Sequence, residues 1–317
     1  MADSLCFLSE LGRGGNSRSQ PSVDGFCSRR AFIQTSCAGF GLALLPCRPR
    51  ANTRIDKVTL LTAPIELTGD WGQMIHASAT KVAQRMRHAC LDGVRLVSDR
   101  QPAALRVDEH TSGLPAIWLH SGGADNTAWI VVDIGERDWS KLAYQFGHEF
   151  GHVFANSWRA DAKPAPPCQW LEEAMVEAFS IRGLARLAES WAHDPPFPND
   201  GGFGSAIAGY RKNIIERYSA LAQEQETATD FAAWFRKYRT EIEAAPMSPF
   251  AEAACLTILA EYERAPDCVE ALGALNRWPG RSGVPIEDYL RLWEASCLEL
   301  SASASLPSRL RQLLLVG

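Results

Sequence analysis

The sequence predicts an α+β fold, with a small mixed sheet in its first part and a mostly α-helical second part. Residues 56–135 hold short runs of β-branched and aromatic residues between turn-forming residues, which is typical of strands. After residue 170 the apolar residues recur at the three- and four-residue spacing of amphipathic helices. A predicted helix over 139–156, with Asp138 or Ser140 as its N-cap, lies between these two parts.

The elements follow from these periodicities. In the first part we predict strands at 58–61, 94–97, 116–119 and 129–134, a helix over 71–90, a loop over 102–113 and a hairpin turn at 121–126. In the second part we predict helices near 171–192, 204–224, 229–244, 249–265, 285–300 and 307–315. The chain therefore divides into a leader over 1–51, an α/β part over 52–157 and a mainly helical part over 158–317.

The predicted helix over 139–156 contains the pattern H-E-x-x-H at His148, Glu149 and His152. Residues four apart share a helix face, so both imidazoles can bind one Zn²⁺. The glutamate beside the first His can act as general base toward a water on that metal. Gly147 and Gly151 are poor helix formers, and their presence beside the two His predicts close packing there, against another backbone or a substrate. The alternative is an amphipathic helix with two surface His.

Catalytic zinc usually has three protein ligands, and the next predicted helix supplies an acid. Glu173 and Glu177 are four apart and share a face, whereas Glu172 is expected to point elsewhere. We predict Glu173 as the third ligand and Glu177 as the acceptor for the second ring N–H of a ligand His. The alternative is a solvated acidic face at the start of a helix.

Together, His148-Glu149-x-x-His152 and Trp170-Leu171-x-Glu173-Ala174 resemble the gluzincin metallopeptidases, which include thermolysin-like enzymes and zinc aminopeptidases. The resemblance covers about residues 128–180 and implies a zincin-like fold with one zinc per chain. It implies His148, His152 and Glu173 as metal ligands, Glu149 as base and Glu177 behind the ligands. It also implies that the strand before the H-E-x-x-H helix forms the edge of the sheet, where an extended substrate can add.

The chain departs from this family pattern in three places. Ala174 stands where the aminopeptidases have Gly, the connection from His152 to Glu173 is slightly longer, and G-x-M-E-N is absent from the sequence. In gluzincins a Tyr or His from the C-terminal helices often stabilises the oxyanion. Tyr210 and His193 are the candidates here, with Tyr218 behind them, although none lies in a recognisable motif.

The N-terminal segment Ser28-Arg29-Arg30-Ala31-Phe32 resembles a twin-arginine export motif, and a short apolar stretch at 40–46 follows it. This implies passage through the twin-arginine export machinery and a periplasmic or extracellular location in a bacterium. Cleavage could follow Ala51. A lipid anchor at Cys47 is an alternative, but the preceding Pro46 matches the lipobox pattern of such anchors poorly. The leader could also be an ordinary basic segment.

Composition limits the remaining function classes. An apolar fraction of 46% and a charged fraction of 22% are ordinary for a soluble enzyme. The sequence has no run of 18 apolar residues, so no membrane span is expected after the leader. The chain has a net charge of −5 and no basic stripe, which gives no reason to expect nucleic acid as a partner. A disulfide is expected among Cys255, Cys268 and Cys297, because the compartment would be oxidising.

These observations predict a zinc-dependent metallopeptidase that acts on a peptide or protein substrate. Two alternatives remain open. The same site could hydrolyse a non-peptide amide or ester, or the chain could be a catalytically inactive zincin-like binding or structural protein.

Overall fold

A computed structural model describes residues 60, 62–69, 71, 76–95, 100–109, 115–118, 126–134, 138–227, 230–245 and 249–315. Within these ranges the protein is mixed α+β and mostly helical. The strands are β1 (Ile65–Gly69), β2 (Ala104–Glu109), β3 (Ala116–Trp118) and β4 (Thr127–Val132). The helices are α1 (His76–Cys90), α2 (Trp139–Phe154), α3 (Gln169–His193), α4 (Phe203–Glu224), α5 (Phe231–Ala244), α6 (Pro249–Arg264), α7 (Ile286–Glu299) and α8 (Ser305–Leu315). Two 3₁₀ segments are also present, at Ala160–Ala162 and Pro266–Ala274.

The helix predictions of the second part are confirmed, and each observed helix lies within two residues of its predicted bounds. Helical periodicity is strong there because every helix buries one apolar face in a shared core. The predicted strands at 116–119 and 129–134 are also confirmed, as β3 and β4. The predicted hairpin turn at 121–126 lies almost entirely outside the described residues.

The sheet has the order β1-β2-β4-β3, in which β1, β2 and β4 are parallel and β3 is antiparallel to β4. Strand β4, which directly precedes α2, is therefore an inner strand, and the expectation that it forms the edge is wrong. The short strand β3 pairs outside it because the chain turns back before β4. An extended partner would have to add to β3 at this side of the sheet.

Strand β2 lies in the segment predicted as a loop, so that prediction is wrong. Arg106, Asp108 and Glu109 weaken the strand pattern, because charged residues have low β-propensity. Hydrogen bonds within the sheet stabilise two of these charged residues, Arg106 and Asp108. Arg106 Nε donates to Thr68 Oγ1 on β1 at 2.8 Å and to Asp108 Oδ1 at 3.0 Å. Leu105 and Val107 face the core from the opposite side.

Two other strand predictions fall largely outside the described residues. Of the segment 58–61 only Leu60 is described, and it is helical rather than extended. Of the segment 94–97 only Val94 and Arg95 are described, and neither belongs to a strand. The leader, with its twin-arginine motif and Cys47, also lies outside the described residues.

Helix α3 is the centre of the helical part and packs against α1, α2, α4 and α6. Every residue from Trp170 to Leu184 is buried, so the helix has no solvent-exposed face along this stretch. Glu172, Glu173 and Glu177 lie within it. Three acids in the buried part of a central helix are costly unless cations or hydrogen-bond donors face them.

The expected disulfide is not formed. Cys90, Cys168, Cys255, Cys268 and Cys297 are free and buried. Two of these thiols donate to backbone carbonyls. Cys268 Sγ donates to the carbonyl of Glu261 at 3.5 Å, and Cys168 Sγ donates to the carbonyl of Val284 at 3.1 Å. The prediction was wrong because it relied on compartment and residue count without any geometric constraint.

Among the described residues, each helix is too short or too polar to cross a lipid bilayer.

Candidate metal centre

Helix α2 presents His148 and His152 on one face, with ring centroids 5.2 Å apart. Asp138 caps the helix, because its Oδ1 accepts from the backbone N–H of Lys141 at 2.9 Å. On the opposite side, Phe146 and Phe150 stack at 5.6 Å and lie within the core. The apolar face thus fixes the rotation of the helix, and this rotation turns the two imidazoles toward α3.

Helix α3 brings Glu173 against both imidazoles. Glu173 Oε2 lies 3.4 Å from His148 Nε2 and 3.3 Å from His152 Nε2. One ligand atom from each of these three residues lies within 4.8 Å of the other two. Tetrahedral zinc, with bonds of about 2.0 to 2.2 Å to nitrogen and oxygen, holds its ligand atoms about 3.3 to 3.5 Å apart. These two distances are thus long for a hydrogen bond and agree with the separation of two ligand atoms on one tetrahedral ion.

Two glycines on α2 allow the two helices to approach this closely. A Cβ atom on Gly151 would lie 2.8 Å from Val176 Cβ, and one on Gly147 would lie 2.8 Å from Ser180 Oγ and in collision with Met86 Cε. A larger side chain at either position would force these neighbours to move. The predicted close packing is confirmed, but the approaching groups are side chains of α1 and α3, so the expectation of an approaching backbone or substrate is wrong.

Glu177 lies one turn beyond Glu173 and contacts the other nitrogen of His148. The Nδ1–H of His148 donates to Glu177 Oε2 at 2.7 Å. Glu177 Oε1 accepts from the hydroxyls of Tyr144 at 2.5 Å and Tyr218 at 2.9 Å. Burial raises the pKa of Glu177, but these three donors outweigh burial and hold its pKa below the ordinary value. The carboxylate of Glu177 therefore stays ionised. Because it accepts from Nδ1–H, the Nε2 atom of His148 faces Glu173.

Glu172 is the counterpart of Glu177 for the second imidazole. The sequence-based expectation that Glu172 points elsewhere is wrong, because the Nδ1–H of His152 donates to Glu172 Oε1 at 2.8 Å. The side chain of Glu172 is completely buried. Because α2 and α3 cross closely, the side chain of Glu172 extends beyond Glu173 and reaches His152, the more buried of the two imidazoles. Each of the two imidazole rings is therefore oriented by a carboxylate.

Glu149 is buried beside the three ligand residues. Burial raises its pKa, the charges of Glu173 and Glu177 add to this, and the two imidazoles act in the opposite direction, so that the pKa lies above 4.5. A carboxylate whose pKa is raised in this way is better able to accept a proton and to hold it for transfer.

The carboxylates also set the protonation of the imidazoles. Burial lowers the pKa of His148, but hydrogen bonds to Glu173 and Glu177 and the charge of Glu149 outweigh it and raise the pKa to about 10. Burial likewise lowers the pKa of His152, but Glu173 and Glu172 raise it well above its ordinary value. The pocket thus favours positive charge between the two helices, whether this charge comes from protons or from a metal ion.

Tyr210 and His193, the two residues predicted to stabilise the oxyanion, lie in different parts of the structure. Tyr210 packs its ring against Tyr144 at 5.8 Å and lines an open cavity of about 550 Å³ with Trp139 and Phe203. None of the three ligand residues lines that cavity. His193 lies at the far end of α3, about 30 Å along the helix axis from Glu173, where it is exposed and contacts the Glu189 carbonyl at 2.8 Å. The structure therefore does not bring His193 to the three ligand residues.

Sequence reasoning missed three residues that contact the site. Tyr144 lies four residues before His148, and this helical spacing could have identified it. Glu172 could have been found by treating both ligand imidazoles as needing an acceptor. Asn276, which contacts Glu172, carries no signal, because it lies about one hundred residues further along the chain and belongs to no motif.

Comparison with known proteins gives little further guidance. No family model matches the chain, and no solved structure matches it. One curated protein is similar, Lipoxygenase 4, chloroplastic, from Arabidopsis thaliana, with 25% identity over 210 residues. The match includes 60% of this chain but spans only 21% of the plant protein. A match over about a fifth of that enzyme does not assign its activity to this chain.

Proposed function

We propose that the protein is a zinc-dependent metallopeptidase of the gluzincin type, with His148, His152 and Glu173 as the metal ligands. The observation that carries the proposal is the position of Glu173 Oε2, 3.3 to 3.4 Å from the Nε2 atoms of both imidazoles. Two imidazole nitrogens and one carboxylate oxygen are also a donor set that catalytic zinc commonly has, with a fourth position left for water or substrate.

The residues around the ligands support this assignment. Glu172 and Glu177 each accept from the Nδ1–H of one imidazole, which leaves each Nε2 available for a metal. A divalent cation would also supply the positive charge that protonated imidazoles otherwise give to the buried carboxylates on α3. The side chain of His148 is 19% exposed and that of His152 is 9% exposed, so we expect substrate to enter on the His148 side.

When bound, zinc supplies a Lewis acid that polarises the scissile carbonyl and lowers the pKa of a water toward about 7. In the proposed reaction Glu149 takes a proton from the attacking water and later delivers it to the leaving amine.

A peptide is the substrate class that the surrounding sheet suits best. Strand β3 is paired only with β4 among the described strands, and it contacts α2. We propose that an extended peptide adds as a strand beside β3, which lies at the end of the sheet formed by the described strands. Trp118 on this strand is 53% exposed and could contact a substrate side chain.

The test combines metal analysis with a substrate screen. The purified protein, loaded with zinc and dialysed, is expected to retain about one zinc per chain, and Glu173→Ala and the double variant His148→Ala/His152→Ala should lose it. Glu149→Gln should retain zinc but cleave a peptide library at least 100-fold more slowly. Failure of the wild-type protein to bind zinc would refute the proposal. Zinc binding with turnover of amide or ester probes alone would replace peptidase by a non-peptide hydrolase, and binding without any turnover would indicate an inactive zincin-like protein.

We also propose that the protein is exported through the twin-arginine machinery before it acts. The support is the motif at Ser28–Phe32, with its basic residues followed by a short apolar stretch. Replacing Arg29 and Arg30 with Lys should retain the protein in the cytoplasm of a bacterium that has this machinery. Fractionation of cells that express either form decides the question, and equal export of both forms would contradict the proposal.

A further inference from the structure

The two oxygens of Glu172 contact two different parts of the molecule. Oε1 accepts from the Nδ1–H of His152 at 2.8 Å, and Oε2 accepts from the side-chain amide of Asn276 at 2.7 Å. Glu172 and Asn276 are both buried. A carboxylate at this depth is costly unless donors occupy its oxygens, so each of these two contacts matters for its position.

Asn276 comes from the segment that follows the 3₁₀ turn Pro266–Ala274, far along the chain from both ligand helices. Its backbone is left-handed, with φ of 55°. The same amide nitrogen lies 2.9 Å from Ser157 Oγ and 3.3 Å from the carbonyl of Ala155, just after α2. The hydroxyl of Tyr289 on α7 donates to its Oδ1 at 3.4 Å. The side chain of Asn276 is therefore held by several elements at once.

A second asparagine ties the same segment to the end of α2. Asn156 donates from Nδ2 to the carbonyl of Gly273 at 3.1 Å and to that of Leu275 at 2.7 Å. Asn156 is also left-handed, with φ of 68°. Two buried asparagines thus connect residues 273–276 with the chain just after His152, and this arrangement fixes Asn276 relative to the ligand helix.

We infer that Asn276 and Glu172 are positioning residues for the metal centre, with Asn276 holding Glu172 and Glu172 holding the ring of His152. This inference rests on the proposed metal site. It makes residues 273–276, from the helical C-terminal part, a functional component of a site whose ligands all lie on α2 and α3.

The chemistry of the donors explains why an asparagine suits this place. The amide is neutral, so it orients the carboxylate of Glu172 without neutralising it, and the negative charge remains directed at His152. A carboxylate that accepts from the Nδ1–H of an imidazole raises the basicity of the other ring nitrogen, Nε2, which is the proposed ligand atom. Glu177 shows the same design on the other imidazole, where its additional donors are the neutral hydroxyls of Tyr144 and Tyr218.

The inference is tested by titrating the full-length protein with Co²⁺ against a chelator of known affinity, with the visible absorption of the cobalt form as a second readout. Glu172→Gln should weaken Co²⁺ binding about 10- to 100-fold and change the visible bands, because His152 loses its carboxylate. Asn276→Gly keeps the left-handed backbone accessible and should weaken binding in the same direction. If Asn276 acts through Glu172, the double variant should bind no more weakly than Glu172→Gln alone.

The matched control is Asn199→Gly. Asn199 is also left-handed, with φ of 63°, but it is exposed and lies outside both ligand helices. This variant should bind Co²⁺ as the wild type does. Circular dichroism identifies variants that do not fold, and Asn276→Asp then replaces Asn276→Gly. That isosteric variant sets a second carboxylate against Glu172 and should weaken binding further.

The possible outcomes separate the inference from the proposed function. Wild-type protein that binds Co²⁺, together with folded variants of equal affinity and unchanged spectrum, would overturn the inference and leave the metal site intact. A fall in thermal stability without a change in Co²⁺ affinity would also overturn it, since that pattern marks a purely structural role. Wild-type protein that binds no Co²⁺ would remove the metal site and the inference with it.

Discussion

The carboxylate of Glu177 lies 2.7 Å from Nδ1 of His148 and belongs to the same helix as Glu173, which faces Nε2 of the same ring. One helix therefore contacts both nitrogens of one imidazole. This sets the plane of the ring before any metal arrives, and preorganisation of this kind favours tight binding.

Replacing Glu177 with Gln should lower zinc affinity about 10- to 100-fold, because the carboxylate that orients His148 and increases its basicity is lost. Competition with a chromophoric chelator measures the change. Glu189→Gln is the matched control, since Glu189 is on the same helix but exposed and should leave affinity unchanged. Equal affinities for both variants would show that Glu177 does not act on the metal site.

The two tyrosines behind Glu177 should act jointly. Tyr144→Phe and Tyr218→Phe each remove one of two donors to Glu177 Oε1, so each single variant should weaken zinc binding only slightly. The double variant should lose more affinity than the sum of the two single losses, because Oε1 is then buried without either hydroxyl. A double-mutant cycle on zinc affinity measures this coupling, and strict additivity would contradict it.

Gly151→Ala should destabilise the protein, although alanine is the better helix former by about 1 kcal/mol. The new Cβ would lie 2.8 Å from Val176 Cβ, and overpacking of this kind costs about 1 to 3 kcal/mol. The control is Gly209→Ala in α4, where a Cβ meets nothing within 4 Å and should raise the free energy of unfolding by about 0.5 to 1 kcal/mol. Chemical denaturation measures both changes, and a Gly151→Ala variant as stable as the wild type would argue against the close helix contact.

Without metal, the stability of the protein should depend on pH through the site itself. The pKa of His148 is raised to about 10, so its contribution is fully present below about pH 6.5 and is lost as pH rises through about 10. The pKa of His152 is raised in the same direction, so its contribution is likewise lost toward alkaline pH. The pKa values of Glu173 and Glu177 are lowered, so their contribution is present above about pH 4.5 and is lost on acidification through those lowered values.

The measurement is the melting temperature between pH 5 and pH 10, with and without zinc. The metal-free protein should become less stable toward alkaline pH, and the zinc-loaded protein should not, because zinc then supplies the positive charge. Zinc uptake near pH 8 should also release protons, which calorimetry in buffers of different ionisation enthalpy detects. A metal-free protein whose stability does not fall above pH 8 would show that the imidazoles are not held protonated.

Local sequence patterns predicted most of the helices and the shared face of His148 and His152, because both depend on helical spacing within one segment. They also indicated Glu173, which the structure brings against both imidazoles. Strand β2 was missed because Arg106, Asp108 and Glu109 are compatible with a strand only once Thr68 and the core are in place. Glu172 was misread for a related reason. Its direction depends on how closely α2 and α3 cross, and Gly147 and Gly151 indicate this crossing without specifying its angle.

The close crossing of α2 and α3 has a consequence for how the protein loses activity on heating. The proposed ligands lie on the two helices that also form the centre of the core, and no loop contributes one. On heating, the three proposed ligands should therefore separate only when the contact between α2 and α3 is lost. Thermal inactivation of the metal-loaded protein would then report the lifetime of the whole fold.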